Sequence, residues 1–168
     1  DFAIATHAMG GTYEERSIEI NANLAGFLYK RYNFIGSATH AGFNPFDGVN
    51  AYSMSTLFNV GLGLMRQQIK EEEMIRINPI LMTSNMSTNV IPNNVTVGTD
   101  LRSQNRDYMR TIAKRLDDVA KGSALSLQGE VDIETEMGYL PFVQSRYLSS
   151  FVRETYDNFD AIGNIVDE

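Results

Sequence analysis

Apolar positions along this chain recur with two periods, and the order in which those periods alternate outlines a fold. From Ser17 to Gly36 the pattern is strand-like. One run carries Ile18, Ile20 and Leu24; a second, Phe27 to Ile35, sets Phe27, Tyr29 and Arg31 on one face and Leu28, Lys30 and Tyr32 on the other. A period of three to four then takes over. Met54, Leu57, Phe58, Leu62, Met65 and Ile69 predict an amphipathic helix over Asp47 to Ile69, with Asp47 at the capping position. Gly61 and Gly63 inside it each cost about 1 kcal/mol relative to alanine, a cost tolerated where another backbone packs close. Lys70 to Met74 is a charged link. Ile75–Ser84 and Val95–Ser103 read as strands, the latter alternating Val95, Val97, Thr99 and Leu101 against Thr96, Gly98, Asp100 and Arg102. A second helix is predicted from Asn105 to Ala120, capped by Asn105 or Ser103, with Gly122 ending or interrupting it. Glu130 to Pro141 supplies a last strand, and Tyr147 to Phe159 a short amphipathic helix.

The core order is strand, helix, strand, strand, helix, strand. This is the α+β, ferredoxin-like βαββαβ sandwich, an antiparallel sheet with two helices on one face. It carries no function by itself. Ahead of it, DFAIATH (Asp1 to His7) resembles the end of a buried strand, which would deliver His7 at a carboxyl edge where α/β enzymes place ligands. A capping or surface histidine is the plainer reading of those residues. MGGTYEER then reads as a hinge.

Composition narrows the function classes. The 168 residues are 43% hydrophobic and 21% charged, ordinary for a folded domain, and the net charge of −7 argues against a nucleic-acid partner. No apolar run nears the roughly 18 residues of a spanning helix, so no membrane partner is expected. Without cysteine the chain has neither disulfides nor thiolate metal ligands. A cytoplasmic setting is expected. The eight methionines read as core filler. Beginning at Asp1, the chain looks like a cut made inside a longer protein.

The chemistry-bearing residues gather in two blocks. GSATHAGFNPFDGVNA (Gly36 to Ala51) places His40 at a turn-rich strand exit, just before the first long helix. TNVIPNNVTVGTDLR (Thr88 to Arg102) carries Asn89 and Pro92 on a loop, then Asp100 and Arg102 at a strand end. Together and in this order they resemble the two signatures of the lid, or dimerisation, domain of metallopeptidase family 20. That family includes aminoacylases, N-acyl amino acid amidohydrolases, aminobenzoyl-glutamate hydrolases and succinyl-diaminopimelate desuccinylases. The resemblance covers nearly the whole chain and is nearest to the amidohydrolase branch.

The resemblance implies a parent enzyme that holds two divalent metal ions, zinc or alternatively manganese, and activates a water against an amide carbonyl with a glutamate base. It implies that His40 donates to the tetrahedral oxyanion, commonly in the other subunit's site. Asn89 would contact substrate, and Arg102 would bind the substrate carboxylate with its planar fork of donors. His7 would be a metal ligand at the end of the last catalytic-domain strand. The bland alternatives are a His40 that stabilises its own turn, an Asn89 that caps a loop and an Arg102 paired with Asp100. The family's upstream His-x-Asp pair, bridging Asp, Glu-Glu pair and late histidine are missing. The expected organisation is therefore a catalytic-domain end and hinge at 1–16, a lid at 17–138 and a truncated return segment at 139–168, inactive and metal-free alone and dimerising through the lid. The competing class is a stand-alone ferredoxin-like interaction or small-ligand-binding domain without catalysis.

Overall fold

The computed structural model describes residues 3–6, 16–84, 87–158 and 163–167. Its elements are β1 (Ser17–Ile20), β2 (Gly26–Ile35), α1 (Ala51–Met65), β3 (Ile75–Ser84), β4 (Asn94–Ser103), α2 (Arg106–Ser126), β5 (Glu130–Tyr139), α3 (Arg146–Asp157) and β6 (Asn164–Asp167). The chain divides into two compact units, Ala25–Phe142 and a second one made of Asp1–Leu24 with Val143–Glu168.

Period-two burial builds the sheet of the larger unit. Its strands lie in the order β3-β4-β2-β5, every neighbouring pair antiparallel. In β2 the buried positions are Gly26, Leu28, Lys30, Tyr32 and Phe34; in β4 they are Val95, Val97, Thr99, Leu101 and Ser103, with Gly98 buried between them. This face meets Met54, Phe58, Leu62 and Met65 of α1 and Met109, Ile112, Leu116 and Ala120 of α2 in one core. The Tyr32 and Phe34 rings lie 4.7 and 5.8 Å from that of Phe58. Each large apolar side chain so buried contributes about 1.5–3 kcal/mol. The ferredoxin-like βαββαβ sandwich read from the hydrophobic pattern is therefore the fold of this unit. On the opposite face Tyr29 and Asp100 are half-buried, and Arg31 and Arg102 are exposed.

Lys30 sits among the core side chains at 1% exposure. A buried ammonium persists only if paired. Its Nζ lies 2.8 Å from Asp117 Oδ1 on α2 and donates to Thr135 Oγ1 at 2.7 Å. Tyr32 Oη donates to the same carboxylate at 3.2 Å. Burial first, and then the Asp117 charge, push the Tyr32 phenol above its ordinary range.

Helix α1 ends at Met65 rather than Ile69, with Arg66–Gln68 a 3₁₀ turn, and three further boundaries differ from the sequence pattern, each for a tertiary reason. Helix α1 starts after Asn50, whose Oδ1 accepts from Ser53 N at 3.1 Å, while Pro45–Asp47 form a separate 3₁₀ turn. Asp47 cannot cap α1, because Gly48 is extended and Val49 is paired with Ser37. Helix α2 continues through Gly122 to Ser126, since Ser123 and Ala124 are buried on the same stripe. Core packing there outweighs the roughly 1 kcal/mol cost of a helical glycine. The run at Ser17–Ile20 pairs in parallel with β6 and clusters with the smaller unit.

In the smaller unit β1 and β6 run from Ser17↔Asn164 to Ile20↔Asp167. The Ser145 side chain caps α3 by accepting from Leu148 N, and Gln144 Nε2 donates to the Ala22 carbonyl at 3.0 Å. Among the described residues no helix is long and apolar enough to cross a membrane.

Candidate functional site

The two signature blocks hydrogen-bond to one another, which gives their residue types a structural reason. Leaving β2, Gly36 N donates to Asn93 O at 2.9 Å, and Ser37 and Val49 exchange two backbone bonds of 3.0 Å. Ile91 N donates to Thr39 O and Ala41 N to Asn89 O, both at 2.9 Å, and Ala51 N donates to Pro92 O at 2.8 Å. Strands of backbone this closely apposed leave no space for side chains at two positions. A Cβ added at Gly36 would lie 2.0 Å from Val49 O, and one at Gly48 would lie 2.4 Å from Thr39 Cγ2.

This ladder holds His40 opposite Val90 in a single bridge, with the imidazole exposed. The His40 carbonyl accepts from Phe43 N at 3.2 Å and Asn44 N at 3.1 Å, and its Nδ1 accepts from Gly42 N at 3.2 Å. Asn89 lies on the partner strand of the bridge; its side-chain Oδ1 accepts from Ser87 Oγ at 2.6 Å. His40 and Asn89 are thus brought together through adjacent backbone.

Arg102 is elsewhere. It lies eight residues beyond Asn94 along β4, a span of roughly 26 Å at strand rise. Its Nη2 is 3.0 Å from Asp100 Oδ2, and its guanidinium is 5.4 Å from the centre of the Phe27 ring. Both partners of that ion pair are more than a third exposed, so it stabilises by only about 0–1 kcal/mol. His7 lies outside the described residues.

Sequence reasoning missed Gly42, whose N–H meets the His40 ring, and took Asp47 rather than Asn50 as the cap. An asparagine with serine three residues on was the available signal for Asn50. Gly42 left no signal, because any residue except proline offers that N–H. Among the described residues no three His, Asp or Glu side chains are grouped to hold a metal ion. Those donors do not fit a two-metal centre.

No family model matches the chain. It is 29% identical over 103 residues to a mouse (Mus musculus) Xaa-Arg dipeptidase, a match covering 61% of this chain and 23% of that protein. Among solved structures, it superposes on an aminobenzoyl-glutamate utilization protein from Klebsiella pneumoniae with a TM-score of 0.72 and 19% identity, over 89% of this chain and 37% of that one. The aminopeptidase PepT from Bacillus cereus gives 0.70 and 14%, over 89% and 40%. These two likenesses establish the shared fold. The relatives are peptidases and amidohydrolases of metallopeptidase family 20, so the recognition drawn from the two signature blocks is borne out. The chain spans about a quarter to two fifths of the length of these relatives.

Proposed function

We propose that the chain is the lid and dimerisation domain of a longer hydrolase, one that cleaves the amide C–N bond of an N-acyl amino acid or aminobenzoyl-glutamate-like substrate. The observation that carries this reading is the separation of the site residues along β4. His40 and Asn89 share one end of the sheet, and Arg102 stands at the other, a span wider than a dipeptide-sized amide. One protomer therefore cannot apply all three to one substrate, whereas a two-fold dimer can. His40 is an exposed hydrogen-bond donor suited to a developing oxyanion, and Asn89 a polar contact beside it. Arg102 offers a carboxylate its fork, after exchanging Asp100 for the substrate. Residues other than those described would hold the two divalent ions, zinc in this reading.

The sheet supports such a dimer. Strand β3 is an edge, and an unpaired edge invites a second strand. Beside it Leu81, with Tyr52 and Val60 of α1, is exposed along a shallow groove floored by Val97. A second copy laid across that edge would cover these side chains and continue the sheet.

Subunit complementation tests both parts at once in the full-length enzyme. His40→Ala lowers kcat roughly 100- to 1,000-fold, the loss typical of a missing oxyanion donor, and Arg102→Ala raises KM. At substrate well below KM, where both variants are nearly inactive, unfolding them together and reassembling them makes half of the dimers mixed, each with one intact site. Activity then returns to roughly a quarter of the native value. Recovery no greater than that of the separate variants would overturn the shared-site reading.

A further inference from the structure

We infer that Gly42 is the positioning residue for His40, its backbone N–H holding the imidazole as the Nε2–H tautomer. A neutral imidazole has one nitrogen that donates and one that accepts. Gly42 N can only donate, and it lies 3.2 Å from Nδ1. Nδ1 must then carry the lone pair, and the proton sits on Nε2. That nitrogen is at the ring's tip, away from the backbone, where a donor for an incoming oxyanion has to be. When neutral, the ring thus presents Nε2–H as its donor, and it is oriented by its own turn.

Two features make the arrangement rigid. The turn is closed by its own hydrogen bonds: Phe43 N and Asn44 N both reach His40 O, Thr39 Oγ1 donates to Asn44 O at 3.1 Å, and Asn44 Nδ2 donates to Asp47 Oδ2 at 3.0 Å. Gly48 N then donates to Pro45 O at 3.2 Å and ends the loop. Glycine at position 42 also leaves room for the ring. A Cβ there would stand 3.4 Å from His40 Cε1 and 3.7 Å from Nδ1, already in van der Waals contact, so side chains larger than alanine would press on the imidazole edge. The contact sets the ring's tautomer whatever the ring does; only its consequence for catalysis rests on the oxyanion-donor reading proposed above.

Nitrogen-15 NMR of the 168-residue chain tests the assignment without turnover. The expected spectrum has His40 Nδ1 at a lone-pair shift and Nε2 at a protonated shift. The Gly42 amide proton should move with the same midpoint as the His40 ring on acidification, because the imidazolium has no lone pair to accept. Gly42→Ala should keep this signature. Gly42→Pro, which has no N–H, should replace it with the averaged shifts of an unrestrained ring. An Nδ1-bound proton, or a Gly42 amide that stays flat while the ring titrates, would overturn the assignment even if the proline variant failed to fold. In the full-length enzyme kcat should fall towards the His40→Ala level for Gly42→Pro but stay near native for Gly42→Ala. Full activity in His40→Ala with the tautomer signature intact would remove the catalytic role and leave the positioning in place. A large loss in His40→Ala without the signature would do the reverse.

Discussion

The two ends of β4 present their functional side chains by different physical means. At the Asn94 end His40 and Asn89 are set by backbone: three apposed segments, 36–41, 49–51 and 89–93, exchange hydrogen bonds of 2.8 to 3.0 Å, and two glycines let them approach. At the other end the Arg102 backbone pairs with Phe27 of β2 and Arg76 of β3, but its guanidinium is set by side chains, through an exposed ion pair with Asp100 and the face of Phe27. Backbone ladders hold a group in one place because each bond is part of a cooperative array, while a solvated ion pair holds it loosely. The contrast suits the chemistry proposed for each end. An oxyanion donor gains from being fixed before the charge develops, and a carboxylate clamp has to give up one anion for another.

Substitutions can break this comparison. The largest effect is expected at the laddered end, where Gly48→Ala forces a methyl group against Thr39 and Ile91. Overpacking of this kind costs about 1–3 kcal/mol. Chemical denaturation should show that loss, together with a displaced His40 resonance; an unchanged midpoint would mean that the ladder yields easily and the two ends are alike.

A smaller effect comes from the core that both ends share. Tyr32 keeps its phenol protonated in the fold, while in the unfolded chain it ionises near the ordinary value of about 10. The native state therefore binds the extra proton, and stability present below pH of about 10 is lost as pH rises beyond it. Tyr32→Phe removes that part of the alkaline slope and, near neutral pH, costs about 0.5–1.5 kcal/mol for the hydrogen bond to Asp117. Equal alkaline slopes in native and variant protein would contradict the shift. The smallest effect is at the far end. Arg102→Ala should change stability by no more than about 1 kcal/mol, and a larger loss would show that this end too is built into the fold.

Most of the architecture was legible because it rests on local periodicity. Alternation in β2 and β4 and the three-to-four spacing in α1 point to the core face, and Met54, Phe58, Leu62 and Met65 are buried there, although Leu57, read on the same stripe, is exposed. Lys30 is the exception: period two put it on the Leu28 face, but nothing local showed that Asp117, some ninety residues on, would neutralise it. The cap of α1 was misread for a similar reason. Asp47 is a good capping residue by type, and only the pairing of Val49 with Ser37 moves the helix start to Asn50.

The sequence by itself determined the order of elements, the face of each that turns inward and the chemical types held in the two signature blocks, because these depend on spacing along one chain. Tertiary structure alone decided that those blocks brace one another, that His40 and Asn89 share one end of the sheet while Arg102 stands about 26 Å from Asn94 along β4, and that a glycine amide meets the imidazole. Each of these is a contact or a distance between segments remote in sequence or folded back in a turn, and such distances are set by how the backbone closes on itself rather than by the identity of the residues brought together.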